Sequence, residues 1–359
     1  MLISNYIQQE PNHIIFINFF SMPLETSLPV FDLHCDLLSY LTAVPDADPV
    51  HSEDIGASLS ALREGNVKVQ TMAIYVATDD EDSVESGIEQ SVAFLELIDN
   101  YSDYVQHLDN AEDWSDVLES EKTTIIAAIE NANAFCSEDD DLDDGFAMLE
   151  TMLENTGGLL YISLTHNDEN RFGGGNDAPG VGLKEDGKLL LEFLHEMNIA
   201  VDLAHTSDAL AADILNFIDA RNLDIAVLAS HSNFRSVHDH ARNLPEELAQ
   251  EIVRRGGLIG MNFYREFIHD TDPDKLFAHI LHGIEQGAGA HLAFGSDFFY
   301  SAGSDEDEED DAEEDFFHDH RNSAQFPHII SRLSDIMPAE QLHRLAYANT
   351  YNFLQRFWG

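Results

Sequence analysis

Hydrophobic residues along the chain are concentrated in eight short runs rich in Val, Ile, Leu and Ala, separated by more polar stretches. Successive runs start 26 to 57 residues apart, which leaves room for a helix in every gap. Continuous apolar runs that alternate with helical segments predict parallel strands covered by helices. The eight predicted strands are Val30–Asp36, Val67–Tyr75, Thr124–Glu130, Leu159–His166, Ile199–His205, Ile225–His231, Gly257–Phe263 and His291–Asp297.

The polar stretches carry helix signals. Apolar residues recur at helical spacing over Val84–Val105, and Pro338–Phe357 is predicted to form a closing C-terminal helix. A further helix is predicted to start at the capping residue Asn243, with Pro245 near its first turn, and to end at Arg254-Arg255-Gly256-Gly257. Cations in a last turn followed by glycine are typical of a helix end.

Eight strand–helix units in a chain of 359 residues predict a single (β/α)8 barrel of the TIM type. A doubly wound open sheet is the alternative that the spacing leaves open. The barrel domain is predicted to cover residues 30–359, with an N-terminal extension at residues 1–29. Asp305–Asp315 carries ten acids in eleven residues, so residues 302–320 are predicted to form a solvated acidic loop after the eighth strand.

The charge of the chain excludes two classes of partner. The sequence has 68 acidic and 17 basic residues, which give a net charge of −51. A nucleic-acid binder needs a basic surface, and docking on an anionic membrane needs clusters of Lys and Arg. Since 44% of the residues are hydrophobic, a folded core is still expected. Such an acidic surface also suggests adaptation to high salt, where screening removes the repulsion between like charges.

Cysteine content and the N-terminal sequence predict a cytoplasmic protein. Cys35 and Cys136 are the only cysteines, which excludes a disulfide scaffold and favours a reducing compartment. No Lys or Arg precedes Arg63, so the basic region of a signal peptide is missing. No run reaches the roughly 18 apolar residues that a membrane helix needs.

Six of the eight predicted strands end in a histidine or a carboxylate. The carboxyl ends of barrel strands meet at one mouth, where the active sites of this fold form. A hydrophobic strand has no packing reason to end in such a residue. The strand-end residues are His34 and Asp36, followed by Glu130, His166, His205, His231 and Asp297.

Neutral imidazole and carboxylate groups are ligands that Zn²⁺ prefers, and two metal ions around a shared water need five or six of them. His34, Asp36, Glu130, His205 and His231 make up such a set. His34 and Asp36 are two residues apart, which places both side chains on one face of the strand. A carboxylate can bridge two ions, and Glu130 is predicted to do so. For each histidine alone, the alternative is a hydrogen-bonded residue at a strand end.

Two further features lie close to the predicted strand ends. Arg242 could bind a substrate carboxylate with its bidentate guanidinium, and the alternative is a salt bridge to one of the many acids. The glycine-rich segment Arg171–Asn176 lacks the spacing of a phosphate-binding loop. We therefore interpret that segment as a flexible loop over the mouth of the barrel.

The run Asp32-Leu33-His34-Cys35-Asp36-Leu37 resembles the Asp-x-His-x-Asp-Leu signature of the renal (membrane) dipeptidase family, zinc peptidases with an amidohydrolase-type barrel of the metal-dependent hydrolase kind. Later segments agree with the family pattern in the same order, and together they span residues 32 to 298. They are Ala128-Ile129-Glu130, Leu164-Thr165-His166, Asp202-Leu203-Ala204-His205, Ser230-His231-Ser232, Arg242-Asn243-Leu244-Pro245-Glu246 and Gly295-Ser296-Asp297-Phe298.

The resemblance implies a binuclear centre with two Zn²⁺ ions. His34, Asp36 and Glu130 would hold one zinc, and Glu130, His205 and His231 would hold the second. It also implies a dipeptide substrate, hydrolysed by attack of a metal-bridging hydroxide. Homodimers are common in this family, so a homodimer is a further expectation.

The resemblance implies catalytic roles for three more residues. His166 would contact the scissile carbonyl or its oxyanion, Arg242 would bind the C-terminal carboxylate of the dipeptide, and Asp297 would shuttle the proton. One departure concerns the pocket wall, because Asn131-Ala132-Asn133 stands where many members have Gly-Gly-His. Two rival functions stay open: another metal-dependent amide, lactam or ester hydrolase on this barrel, and a metal-binding homologue without catalysis.

Overall fold

The computed structural model describes residues 28–107, 114–301 and 315–358. Most of the predicted extension at residues 1–29 and of the predicted acidic loop at 302–320 lies outside these ranges. The strands in the described residues are β1 Val30–Cys35, β2 Val67–Tyr75, β3 Val105–His107, β4 Thr123–Glu130, β5 Leu159–Ser163, β6 Ala200–Asp202, β7 Val227–Leu228, β8 Ile259–Met261 and β9 Leu292–Phe294.

Helices follow the strands along the chain, as a barrel requires. Within the described ranges they are α1 Leu37–Ala43, α2 Leu59–Glu64, α3 Ser83–Asn100, α4 Trp114–Glu119, α5 Leu142–Thr156, α6 Glu185–Met197, α7 Asp208–Arg221, α8 Glu246–Arg254, α9 Arg265–Ile268, α10 Lys275–Glu285, α11 Phe326–Ser334, α12 Ala339–His343 and α13 Asn349–Trp358. None of these helices combines the length and the apolar composition needed to span a lipid bilayer.

Eight of the strands form a parallel barrel in the order β7-β6-β5-β4-β2-β1-β9-β8. The two ends of this order meet where Ala229, just after β7, pairs with Ile259 of β8. Two backbone hydrogen bonds join the ends, from Ala229 N–H to Leu258 O at 2.9 Å and from Gly260 N–H to Ala229 O at 2.8 Å. The predicted (β/α)8 barrel is confirmed, and the open-sheet alternative is excluded.

The core has an inner and an outer part. Apolar side chains from seven barrel strands form one buried cluster, and only the barrel interior can bring so many strands together; it includes Phe31, Ala128 and Tyr161. Phe353 and Leu354 of α13 join this cluster and close the end of the barrel opposite the site. A larger cluster lies between the outer faces of the strands and the helices, and it contains the buried thiol of Cys35.

The predicted elements differ from the observed ones at two helix ends. The helix predicted over Val84–Val105 ends at Asn100, and Val105 instead starts β3, which pairs with β4 outside the barrel order. The residue predicted to cap α8, Asn243, donates its side-chain amide to His238 O and Phe267 O, both at 2.9 Å. Pro245 occupies the capping position of α8 instead.

Glycine permits close approach of the strands beside β7. A Cβ atom added at Gly260 would lie 1.8 Å from the carbonyl oxygen of Ser230, and one added at Gly295 would lie 1.9 Å from the same oxygen. Real Cβ atoms never come so close to backbone, so a side chain at either position would push the segment carrying Ser230 and His231 outward. These two glycines therefore set the position of His231 at the mouth.

We predict that Gly260→Ala lowers the free energy of unfolding by about 1–3 kcal/mol, as overpacking of a rigid core does. The control is Gly180→Ala, since a Cβ atom there would meet no atom within 4 Å. Thermal or denaturant unfolding of both variants checks the prediction. Equal unfolding midpoints for the two variants would contradict the packing argument.

Candidate metal centre

Glu130, the last residue of β4, lies at the centre of a group of three histidines. Its Oε1 atom lies 2.7 Å from His205 Nε2 and 3.3 Å from His231 Nε2, and its Oε2 atom lies 3.4 Å from His34 Nε2. All four side chains are buried. The two oxygens of one carboxylate thus face different histidines, which is the geometry a bridging ligand needs.

Two further carboxylates lie around His34. Its Nε2 atom is 3.7 Å from Asp36 Oδ1 and 3.6 Å from Asp297 Oδ1, and Asp297 Oδ1 is also 4.0 Å from His231 Nε2. Asn262 donates to the other oxygen of Asp297 at 2.8 Å, which fixes the orientation of that carboxylate. The predicted residues, from the carboxyl ends of five different strands, therefore meet at one end of the barrel.

The rear nitrogens of His34 and His205 are held by hydrogen bonds. His34 Nδ1 lies 2.8 Å from the hydroxyl of Tyr161, which donates its own proton to Leu33 O at 2.9 Å. The Tyr161 oxygen must therefore accept from His34 Nδ1–H. His205 Nδ1 lies 2.8 Å from Asn167 Oδ1, which can only accept. In the neutral form of both rings the proton therefore sits on Nδ1 and the lone pair on Nε2.

His231 is held in the same way through a buried relay. Its Nδ1 atom lies 2.7 Å from Ser230 Oγ, and that hydroxyl donates to Asp202 Oδ2 at 2.6 Å. Ser163 donates to the same Asp202 oxygen at 2.8 Å. Because the proton of Ser230 is used on Asp202, Ser230 accepts from His231 Nδ1–H, and His231 Nε2 also carries a lone pair.

In the neutral rings, the Nε2 atoms that face the centre of the group have no proton through which they could form hydrogen bonds to one another. His205 Nε2 and His231 Nε2 are only 2.9 Å apart and carry no proton between them, so their lone pairs repel unless a cation lies beside both. His34 Nε2 and Asp36 Oδ1 are buried without a hydrogen-bond partner. Unpaired buried polar atoms are costly, and nitrogen and carboxylate donors with engaged rear nitrogens are typical of zinc sites. The donor set therefore fits Zn²⁺.

The ionisation states of Glu130, His205 and His231 agree with metal binding. Burial alone would raise the pKa of Glu130, but His34 and His205 beside it lower it more, so its pKa lies well below the ordinary value. Burial lowers the pKa of His205 and of His231 well below the usual range. At neutral pH the site thus presents an ionised Glu130 and neutral rings of His205 and His231, the forms that bind metal. Burial lowers the pKa of His34, but Tyr161, Glu130 and Asp36 raise it more, so it lies well above the ordinary value.

Three residues at the site have a backbone conformation that side chains rarely adopt. His205, Asp297 and Asn131 have φ values of 64°, 62° and 74°. Such conformations cost about 1–3 kcal/mol each and persist where the surroundings enforce them, commonly at functional sites. Asn131 follows Glu130, and its ψ of 112° places it outside the left-handed helical region that asparagine adopts readily.

His166 lies beside the three-histidine group. Its ring centroid is 4.2 Å from that of His205 and 5.0 Å from that of Tyr75. Together with Glu130 and His205 it forms a further group whose atoms lie close enough to share a metal ion. Burial lowers the pKa of His166, so its ring is neutral at neutral pH.

Arg242 lies behind the mouth and is buried. Its guanidinium carbon is 5.1 Å from the centroid of Phe267, and its two terminal nitrogens make long contacts of 3.5 Å with Ser232 Oγ and 3.4 Å with His231 O. Its Nε atom has no partner. Among the described residues no carboxylate pairs with Arg242, so the alternative of a salt bridge is not observed.

A cavity of about 300 Å³ opens over the group. Sequence reasoning identified its charged residues and His166 but missed its other walls. Tyr75 ends β2 and could have been found by the strand-end pattern, whereas the loop aromatics resemble ordinary core residues. The lining residues are Asp36, Ser39, Tyr75, Glu130, His166, Asn167, His205, Tyr264, Phe267, Asp297, Phe299 and Tyr300.

The glycine-rich segment is not a free loop over the mouth. Phe172 and the three following glycines are buried. A Cβ atom at Gly175 would lie 2.1 Å from His166 O, and Gly175 pairs with Thr206. The glycines therefore allow the segment to lie directly behind His166 and support it.

Comparison with known proteins identifies relatives of the chain. The sequence profile of the membrane dipeptidase family (peptidase family M19) matches residues 20–313. An uncharacterized dipeptidase of Schizosaccharomyces pombe is 27% identical over 262 residues, which are 67% of this chain and 60% of that protein. The chain thus spans 60% of the length of this curated relative.

Solved structures share the fold at low sequence identity. A metallopeptidase described as the dipeptidase AC of family M19 has a TM-score of 0.79 at 20% identity, covering 93% of this chain and 100% of that one. A metallopeptidase from Rhodobacter sphaeroides, bound to a phosphinate mimic of the dipeptide L-Ala-D-Ala, has a TM-score of 0.77 with the same identity and coverage. These likenesses establish the barrel fold.

We predict that Ser230→Ala lowers the affinity for zinc about 10–100-fold, because it removes the hydrogen bond that fixes the tautomer of His231. Ser163→Ala is the matched control, since it also removes a hydroxyl from Asp202 but leaves the His231 contact intact. Competition of the apoprotein with a chelator measures both affinities. An equal loss in the two variants would show that the relay does not act through His231.

Proposed function

Because the chain belongs to the membrane dipeptidase family, peptidase family M19, we propose that it is a binuclear zinc enzyme that hydrolyses the peptide bond of dipeptides. The observation that carries the zinc centre is the pair of unprotonated nitrogens of His205 and His231, 2.9 Å apart and both facing Glu130. His34, Asp36 and Glu130 would hold one ion, and Glu130, His205 and His231 would hold the other.

The centre would supply the nucleophile. Zn²⁺ held by these residues would supply Lewis-acid chemistry, which activates water as a nucleophile at neutral pH and polarises a carbonyl. Asp297 would accept the proton of that water and return it to the leaving amine. Burial raises the pKa of Asp297 to about 8, close to the value that suits proton transfer at neutral pH. Asn262 engages one Asp297 oxygen and leaves Oδ1 facing His34.

His166 and Arg242 would bind the substrate. His166 lines the cavity with a neutral ring that can donate a hydrogen bond to the carbonyl oxygen as negative charge develops there. Arg242 is a buried cation with no carboxylate partner in the part of the chain that the structure describes, an arrangement that costs free energy unless a ligand supplies the missing charge. The C-terminal carboxylate of a dipeptide would supply it and would restrict the enzyme to short substrates.

The acidic composition supports a second proposal, adaptation to high salt. With 68 acidic and only 17 basic residues, most acids cannot have a cationic partner on the same chain. Their repulsion acts over a Debye length of about 30 Å at 0.01 M salt, but only about 3 Å at 1 M. The folded state is therefore expected to need salt.

We predict that Asp297→Asn retains zinc but lowers kcat by about 10²–10⁴, the contribution of general acid–base catalysis. Asp335→Asn, at an exposed carboxylate, is the control. Metal content by mass spectrometry and turnover of Ala-Ala are measured on the same preparations. Wild-type turnover in Asp297→Asn would refute the role of Asp297, and zinc without turnover of any dipeptide by the wild-type chain would favour the rival functions.

Arg242→Ala is expected to raise KM for a dipeptide about 10–100-fold with a smaller change in kcat, because charge-assisted hydrogen bonds contribute about 1.5–3 kcal/mol. A dipeptide with an amidated C-terminus is the control, since it lacks the carboxylate that Arg242 would bind. The variant and the wild type should hydrolyse the amide at similar, low kcat/KM. A variant that loses activity equally on both substrates would contradict this role.

Salt dependence is tested by thermal unfolding at about 0.01 M and about 1 M NaCl. Between these two concentrations the Debye length falls about tenfold. We expect the melting temperature to rise with salt. An uncharged osmolyte at equal osmolality is the control, because it stabilises without screening. A melting temperature that is independent of salt would contradict the proposal.

A further inference from the structure

One wall of the cavity consists of aromatic side chains from the segments after β8 and β9, which include helix α9. We call Tyr264, Phe267 and Phe299 the aromatic wall. The ring of Tyr264 makes edge-to-face contacts with the other two, with centroids 4.7 Å from Phe267 and 5.5 Å from Phe299. All three rings line the cavity over the metal-binding residues. The wall therefore presents apolar ring surface to a bound substrate.

The aromatic wall is held in place from behind. Phe316 contacts Phe299 with a centroid distance of 5.2 Å, and its backbone pairs with that of Tyr264. The N–H of Tyr264 donates to Asn262 Oδ1 at 2.6 Å, and the amide of Asn262 donates to Asp297. Asn262 thus ties the aromatic wall to Asp297, so the pocket surface and the proton-transfer residue keep a fixed relative position.

The carboxylates and histidines that line the cavity belong to the metal-binding group, and the aromatic wall itself carries no charged side chain. Among the lining residues, the carboxylates are Asp36, Glu130 and Asp297, and neither Lys nor Arg occurs. A substrate side chain lying on the aromatic wall finds no Lys or Arg among the lining residues, and Arg242 behind Phe267 would be occupied by the substrate's own carboxylate. An acidic side chain would lose its hydration there and gain only apolar contacts, which is unfavourable.

Phe267 connects the aromatic wall to Arg242. It lines the cavity, and its ring lies 5.1 Å from the guanidinium carbon. The C-terminal residue of a dipeptide has its Cα one bond from the carboxylate, so a carboxylate bound near Arg242 places that residue's side chain next to Phe267. The side chain of the N-terminal residue lies farther from this point, on the other side of the scissile bond.

We propose that the aromatic wall binds the side chain of the C-terminal residue of the dipeptide and selects apolar and aromatic residues over acidic ones. The inference rests on the proposed dipeptidase function and on the position of Arg242. Contacts of an aromatic or branched side chain with the wall exclude water from both surfaces. A single methylene group in such a pocket changes kcat/KM by about tenfold or more.

The test compares kcat/KM of the zinc-loaded wild-type enzyme for Ala-Phe, Ala-Leu, Ala-Asn and Ala-Asp at one pH and one salt concentration. Leu, Asn and Asp are similar in size, so the comparison separates charge from volume. We expect Ala-Phe and Ala-Leu to exceed Ala-Asp by about tenfold or more, with Ala-Asn between them. Similar kcat/KM values for all four would overturn the inference and leave the dipeptidase function intact.

Substitutions at Phe299 then test whether the aromatic wall is the surface that selects the side chain of the C-terminal residue. Phe299→Ala should lower the ratio of kcat/KM for Ala-Phe to that for Ala-Gly by about tenfold, because it removes ring contacts that glycine cannot make. Phe193→Ala is the matched control, since Phe193 stacks on Phe146 at 5.0 Å and does not line the cavity. Phe299→Leu keeps an apolar side chain against Phe316 and serves if the alanine variant fails to fold.

The outcomes distinguish the two proposals. An unchanged ratio in folded Phe299→Ala or Phe299→Leu would overturn the aromatic wall as the selecting surface. An equal fall in Phe193→Ala would do the same, because a general loss of stability would then explain both. If the zinc-loaded wild type hydrolyses none of the dipeptides, the dipeptidase function itself fails and this inference fails with it.

Discussion

The structure depends on one constraint, the placement of unprotonated histidine nitrogens around a single buried carboxylate. Tyr161, Asn167 and Ser230 each accept the Nδ1 proton of one ring, which leaves Nε2 of each neutral ring to face Glu130 with a lone pair. Rotating one ring alone cannot give its Nε2 atom a hydrogen-bond partner, because the hydrogen bond at Nδ1 fixes both the tautomer and the orientation of that ring. A metal ion among these side chains would satisfy their unpaired atoms, which agrees with the metal dependence of the family.

Two buried carboxylates beneath the site join the strands that carry these ligands. Asp202 of β6 accepts hydrogen bonds from the backbone and hydroxyl of Ser230, after β7. Asp32 of β1 accepts in the same way from the backbone and hydroxyl of Ser296, after β9. Each aspartate thereby ties a ligand-bearing strand to its neighbour. Burial raises the pKa of Asp32 to about 6, although the hydrogen bonds from Ser296 act to lower it.

The sequence predicted the barrel and the group of charged site residues because both leave local signals. Buried parallel strands are continuous apolar runs, and a charged residue such as Glu130 at the end of such a run has no packing role. The end of α3 was not predictable, because Tyr101 and Tyr104 continue the apolar spacing of the helix into the turn before β3. The aromatic wall was missed because Phe267 and Phe299 cannot be told from core residues until the loops after β8 and β9 are placed. The glycine-rich segment was misinterpreted because its close contact behind His166 is a tertiary feature.

The most direct test of the account is diffraction from crystals grown with zinc, recorded on both sides of the zinc absorption edge. The account predicts two anomalous peaks per chain, one in contact with His34 and Asp36 and one in contact with His205 and His231, both within bonding distance of Glu130. A map with no peak among these side chains, or with zinc only at carboxylates on the protein surface, would contradict it.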